Sequence, residues 1–205
     1  MKVSRKQQKE ETRQKIMDAA ASELASGRSF DTLSLREVAK LSGIAPTTFY
    51  RHFHDIEGLG LALIEEHGES LLDLMHQVRE QASEGHSLIR TSVERLFDFI
   101  FGNQGISRMI LQESSARESA FGDAAKNLFI TMSKDLAEFL IWDARNRAVP
   151  LAHPGLAADS MVAILFTTGI ALLNTPARDR DKHLEAAIIQ LRMIMRGAEA
   201  MGRAK

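Results

Sequence analysis

The sequence predicts an all-α protein: an N-terminal three-helix helix-turn-helix DNA-binding domain followed by a C-terminal six-helix ligand-binding and dimerisation domain. Three observations carry that expectation. Apolar residues recur at three- and four-residue steps along nearly the whole chain, and no stretch alternates apolar with polar residues as a half-buried strand would. Residues 34–54, SLREVAKLSGIAPTTFYRHFH, spell two short helices joined by a glycine turn. Charge divides with the same boundary. Residues 1–54 carry ten Lys and Arg against six Asp and Glu, whereas residues 55–205 carry sixteen against twenty-one, so a front of +4 sits on a body of −5.

Taken in order, Ile16, Ala19, Ala20 and Leu24 fall at helical spacing and predict a first helix from Glu11 to Ser26, ended by Gly27. Phe30 and Leu33 anchor the following loop to a small core that Phe49 and Phe53 enter from the other side. Ser34 and Glu37 have the spacing of a capping box for the second helix. Gly43 ends that helix, because glycine reaches the left-handed conformation without strain. Pro46 suits the first position of a third helix, expected over Pro46–His52. A fourth helix is expected from Asp55 to Ser83 and a fifth from Ser87, its stripe being Ile89, Val93, Leu96, Phe97 and Ile100. A short sixth holds Met109 and Ile110. The seventh is long, with Phe121, Leu128, Phe129, Met132, Leu136, Phe139 and Leu140. The last two run over Gly155–Leu173 and Asp179–Glu199. The expected domains are 1–54, with a basic N-terminal arm, and 55–205.

The third helix is crowded with groups that bond phosphates and base edges. Thr47 and Thr48 are placed to read base edges through hydroxyl and methyl groups. Tyr50 and His52 are placed to bond phosphates, and Arg51 to do either, while Arg36 on the preceding helix reaches the backbone or the adjacent base pairs. Pro46 sets the start of the reading helix. Six of the early cations, Lys2, Arg5, Lys6, Lys9, Arg13 and Lys15, lie in the first fifteen residues, where they favour phosphate contact.

The body suggests two further functions. Phe97, Phe101, Met109, Phe129, Met132 and Phe166 are the candidates to line an effector cavity. Ten Phe and nine Met beside one Trp and one Tyr make an interior poor in hydrogen-bonding groups, suited to an alkyl chain. The apolar run Met161–Leu173 is too short to span a bilayer comfortably and calls for protein on several faces. With the last helix, striped by Leu184, Ala187, Ile188, Leu191, Ile194 and Ala198, it can build a four-helix interface with a second copy, so the expectation is a homodimer through the last two helices. No membrane partner is expected.

No cysteine is present and the first residues are charged and polar, so a cytoplasmic location without a signal peptide is expected. The sequence has no HExxH, GxSxG or phosphate-cradling glycine loop. His67, His76 and His86 stand nine and ten residues apart rather than at metal-ligand spacing. Neither catalytic residues, a metal nor a cofactor is expected.

The elements I-x-x-A-A-x-x-L, S-L-R-E-V-A and G-I-A-P-T-T-F-Y-R-H-F, standing in order over residues 11–63, resemble the tetracycline-repressor (TetR) family of bacterial regulators. That family commonly has a lysine touching a phosphate at the start of the fourth helix; Ile56 stands there, so this contact has no counterpart. A-P-T-T-F-Y-R-H-F-H-D-I-E-G-L-G-L is similar to the repressors of unsaturated fatty-acid synthesis (the FabR and DesT type), and the similarity continues in Ile89–Val93, Ser107–Ser114 and residues 189–194. The resemblance implies a repressor of a palindromic operator, tuned by a long-chain acyl-CoA or acyl-carrier-protein thioester. In that subgroup unsaturated chains favour DNA binding and saturated ones compete. Arg108 and Glu113, inside the similar segment, are read as a structural pair. A drug-sensing repressor of an efflux pump is the alternative, and would call for a wider pocket with buried acids and several Trp or Tyr.

Overall fold

The computed structural model describes residues 4–81, 88–113 and 119–204. Lys2, Ser83, His86 and Ser87 lie outside them, as does the side chain of Glu113. Among the described residues there are nine α-helices and no strand: α1 (Arg5–Ala25), α2 (Leu35–Leu41), α3 (Pro46–Phe49), α4 (Ile56–Gln81), α5 (Leu88–Gly102), α6 (Gln104–Glu113), α7 (Ala120–Asn146), α8 (Pro154–Leu173) and α9 (Arg180–Arg203).

Three ends differ from the sequence expectation, one of them that of α9, which runs to Arg203 rather than Glu199. Helix α1 starts six residues before Glu11, because the Ser4 hydroxyl accepts from the Gln7 backbone N–H at 3.1 Å and the following Arg, Lys, Gln and Glu residues favour helix. Those residues are exposed and carry no apolar period. Helix α3 is shorter than expected. After Phe49 the chain tightens into i→i+3 turns, with Arg51 N–H donating to Thr48 O at 3.1 Å and His52 N–H to Phe49 O at 2.8 Å.

Compactness groups the chain into two units, and α4 and α7 each contribute residues to both. The first holds residues through Gly68 with Asn103–Ala124. Its core is Ile16, Ala20, Val38, Ala39, Phe49 and Leu59, all fully buried, with Leu24, Phe30, Leu33 and Phe53 around them. Helix α6 packs on α1 at Gly105, where any Cβ would strike the backbone of Leu24. The Phe30 ring meets Phe121 edge-on at 5.2 Å. The second unit holds Glu69–Gly102 with the chain from Ala125 on, built on α8 against α9, with α5 packed on both.

Helix α8 is longer than the apolar run read from the sequence. At twenty residues it is long and apolar enough to cross a membrane by length and composition, and only a third of its apolar window is buried. Its packing on α9 and α5 gives it a protein environment on one side.

Helix α7 ends in a Schellman arrangement, with Val149 N–H donating to Ala144 O at 2.9 Å and Ala148 N–H to Arg145 O at 3.1 Å. The left-handed residue is Ala148 (φ 51°), where glycine is usual. Left-handed strain on a residue with a Cβ is about 1–2 kcal/mol. Glycine's extra unfolded-state entropy costs about 0.4–1 kcal/mol. Strain outweighs entropy, so Ala148→Gly is expected to raise stability by roughly 0.5–1 kcal/mol, measured as a higher urea midpoint at unchanged slope.

Candidate nucleic-acid interface and effector cavity

In the first unit the reading elements are held from below. Helix α2 closes with Gly43 left-handed (φ 69°), Ile44 N–H donating to Ala39 O at 3.0 Å and Gly43 N–H to Lys40 O at 3.1 Å. Ser34 Oγ accepts from the Glu37 N–H at 3.3 Å, which is half of the expected capping box. The Glu37 carboxylate does not complete the box: both oxygens take the Arg28 guanidinium, at 2.6 and 3.1 Å. Arg28 also grips Glu23 at 2.7 Å and the Thr32 carbonyl at 3.1 Å. One side chain therefore ties the end of α1 to the loop and to α2. Its hydrogen bonds hold the Glu37 carboxyl below the usual range.

Helix α3 is anchored by Phe49, whose ring packs 5.6 Å from Phe53 and 6.3 Å from Tyr50. With that face turned inward, Pro46, Thr47, Tyr50 and Arg51 are exposed and Thr48 and His52 half-buried; Arg36 on α2 is exposed. The residues expected to contact DNA thus stand on α2, on α3 and in the turns that follow α3, and Tyr50 is 62% exposed despite its aromatic ring. His52 differs from the others. Its Nδ1 is buried without a hydrogen-bond partner, and burial, with Lys9 and Arg13 nearby, holds its pKa below the ordinary value.

That proximity places two of the early cations, Lys9 and Arg13, beside the third-helix region. Lys6, Lys9 and Arg13 stand at i, i+3 and i+7 and share one face of α1. Arg13 lies over the Phe53 ring at 4.5 Å. The cation run was visible in the sequence, but placing it beside His52 required knowing that α1 begins at Arg5.

The second unit encloses a cavity of about 450 Å³ among α4, α5, α7, α8 and α9. Its wall is mostly aliphatic, including Leu72, Met75, Val93, Leu136, Leu165 and Leu191, with Arg79, Asp135, Asp143, Arg147 and Glu199 as the charged groups. Of the six candidates named from sequence, Met132 lies on this wall. Phe97 is buried and off it, and Phe101 carries Arg180 over its ring at 4.1 Å. Phe129 and Phe166 meet at 4.5 Å and line a separate groove between α7 and α8. Met109, in the first unit, borders a hollow beside Leu24 and Phe30. The structure does not bring the six together. Period marks the inner face of a helix equally whether a void or a neighbour lies opposite, so it does not separate cavity lining from core.

Helices α8 and α9 expose large apolar side chains: Leu156 at 65%, Ile189 at 54%, Met193 at 67% and Met201 at 57%. The described residues hold no cluster of His, Asp and Glu suited to a metal ion.

An all-helical chain with two short helices about a glycine turn at one end, and a helical body at the other, has the build of a helix-turn-helix regulator. Residues 16–63 match the family model for bacterial regulatory proteins of the tetR family, a match confined to the reader and the start of α4. Solved structures extend the likeness of fold over the body. A tetR-family transcriptional regulator from Streptomyces coelicolor is 20% identical, with TM-score 0.74 over 95% of this chain and 85% of that one. A candidate TetR-family regulator from Mesorhizobium loti is 20% identical, with TM-score 0.72 over 91% and 96%. The fatty acid degradation regulator FadR from Bacillus halodurans is 16% identical, with TM-score 0.67 over 89% and 96%. The N-terminal segment is a TetR-type helix-turn-helix, and the whole chain has the fold of those regulators. The matched proteins are transcriptional regulators rather than enzymes.

His67 provides a pH test of the first unit. Burial pushes its pKa from 6.5 down to about 4, and it lies 3.2 Å from Ser107 Oγ. The unfolded chain takes up this proton near pH 6.5 and the folded chain only near pH 4. Stability is therefore full above pH 6.5 and falls with acidification between those values. From pH 7.5 to 5 the loss attributable to His67 is about 2 kcal/mol. Urea midpoints for wild type and His67→Gln at both pH values measure it as the difference between the two slopes.

Proposed function

We propose that the chain is a TetR-family repressor: a homodimer that binds a palindromic operator and regulates genes of unsaturated fatty-acid metabolism, tuned by a long-chain acyl-CoA or acyl-carrier-protein thioester. It works in the cytoplasm, where the operator is. The division by role is residues 1–54 as reader and 55–205 as effector-binding and dimerisation domain. The observation that carries the reading is the outward set Arg36, Thr47, Tyr50 and Arg51, exposed above a buried Phe49 in a segment matching the tetR family model. Thr47, Thr48 and Arg51 read bases; Tyr50, His52 and the α1 cations hold phosphates. Because His52 is held neutral with Nδ1 enclosed, its ring offers DNA the Nε2 edge.

The exposed apolar residues of α8 and α9 support dimerisation through those helices, and a dimer presents two reading helices to half-sites about one turn apart. The aliphatic cavity supports a chain-like effector, as does the structural likeness to a regulator of fatty acid degradation. Helix α4 contributes Leu59 and Leu63 to the first unit and Leu72, Met75 and Arg79 to the cavity, so it is the element through which an effector acts. An effector shifts DNA affinity only by the difference in its affinity for the two states.

Thr47→Ala and Arg51→Ala are each expected to cost about 1–3 kcal/mol on the operator, with little change on unrelated duplex. Lys9→Ala, which removes one phosphate contact from each protomer of the dimer, is expected to weaken both alike and to lower the salt slope by about 1.8. Fluorescence anisotropy across a salt series separates these patterns; full operator affinity in Thr47→Ala/Arg51→Ala would remove the assigned reading helix. Ile189→Glu/Met193→Glu is expected to give a monomer in sedimentation equilibrium and to abolish operator binding at nanomolar protein.

A further inference from the structure

We infer that Arg79 is the polar contact of the cavity, and that it selects a ligand whose apolar chain carries an uncharged carbonyl, an acyl ester or thioester, over a free carboxylate or a cation. The inference rests on the proposed effector reading and adds the head-group chemistry to it. Arg79 extends from α4, its side chain 13% exposed, and donates from Nη1 to Asp135 Oδ2 at 2.6 Å. The guanidinium carbon lies 4.8 Å from the centre of the Phe139 ring, which holds the group flat against the wall. His76 Nε2 takes the other Asp135 oxygen at 2.7 Å. Across the wall, Arg147 donates to Asp143 at 2.7 Å and to Glu199 at 3.2 Å, and Arg203 stands 4.0 Å from Glu199.

Every carboxylate on the wall already has a cation or donor as partner, so a cationic ligand has to compete with Arg79, His76 or Arg147 for it. A carboxylate ligand reaches the same guanidinium donors but then shares a small apolar space with Asp135, Asp143 and Glu199, whose negative charges oppose it. A neutral carbonyl meets neither obstacle. The guanidinium has five N–H donors in a fixed fork, and the Asp135 bond leaves others to offer. A carbonyl oxygen accepts one of them without disturbing the pair, and the chain beyond it enters the aliphatic lining of Leu72, Met75 and Leu136.

Trp142 is the single tryptophan, and its ring stands 5.9 Å from Phe139, so its fluorescence reports on the cavity wall of the intact protein. The test titrates four probes: S-oleoyl-N-acetylcysteamine, the thioether with CH2 in place of its carbonyl, oleate, and rhodamine 6G. Wild type is expected to bind the thioester at least tenfold more tightly than the thioether or oleate, with the dye weakest. Arg79→Met/Asp135→Asn, which removes both charges together, is expected to erase the gap between thioester and thioether while leaving thioether affinity within about twofold. Equal binding of thioester and thioether by wild type, tighter binding of oleate or dye, or a gap that survives in the variant overturns the assignment of Arg79 while the acyl cavity stands. Failure of all three chains to bind overturns the effector reading and this inference with it. The wild-type comparison decides without the variant, so poor folding of the latter leaves the test intact.

Discussion

A helix of four residues has no stability of its own, since nucleation alone is unfavourable and only one backbone turn is completed. Helix α3 exists because Phe49 is fully buried and because the Gly43 turn delivers Pro46 at the angle that puts that ring inside. Burying a phenylalanine contributes about 1.5–3 kcal/mol, more than any hydrogen bond in the segment. The direction of every exposed side chain there follows from it. With Phe49 inward, Thr47, Tyr50 and Arg51 can only point out. Arg28 does the complementary work from the other side, joining α1, the loop and α2 through Glu23, Thr32 and Glu37. Phe49 thus fixes α3 from within its unit, and Arg28 fixes the α2 that precedes it.

What the sequence disclosed follows the same physics. Phe30, Leu33, Phe49 and Phe53 were legible as core because each is a large apolar residue in a polar neighbourhood, and all four are buried. Gly27 and Gly43 were legible as stops, and both adopt positive φ. The start of α1 was not, because solvated helix has no apolar period and only the Ser4 cap marks it. The end of α3 was not, because turns after Phe49 use the same residue types as a further helical turn. In the body, Phe97 and Met132 obey one period, yet the first meets protein and the second a void. That distinction depends on what the facing helix brings, and it is a property of packing between segments far apart in sequence. The pairing of Arg79 with Asp135, 56 residues away, was hidden for the same reason.

The ionic groups of the cavity and of the reader show opposite arrangements of the same residue types. On the reader, Arg36 and Arg51 are exposed, and Lys6 and Lys9 stand in solvent on α1. On the cavity wall each carboxylate lies 2.6–3.2 Å from a guanidinium, Asp135 on Arg79 and both Asp143 and Glu199 on Arg147. Unmatched cations suit a polyanion whose counterions can be released. Matched pairs in a partly dry space suit a ligand with no net charge, because separating them would leave an ion unpaired at a cost of several kcal/mol. The near-neutral total of −1 is the sum of +4 over residues 1–54 and −5 over residues 55–205.

The apolar faces of α8 and α9 place a last constraint on the body. Leu156, Ile189, Met193 and Met201 are each more than half exposed in a single chain, and only a third of the apolar window of α8 is fully buried. Isolated apolar side chains on a surface need no explanation, but a patch built on two adjoining helices does. In the proposed dimer the same face of a second copy covers it and takes apolar surface out of water. The cavity has its walls on those same helices, through Met161, Leu165, Leu191 and Met195. In that proposal association and cavity shape are linked, and the concentration of the chain enters the affinity for any cavity ligand.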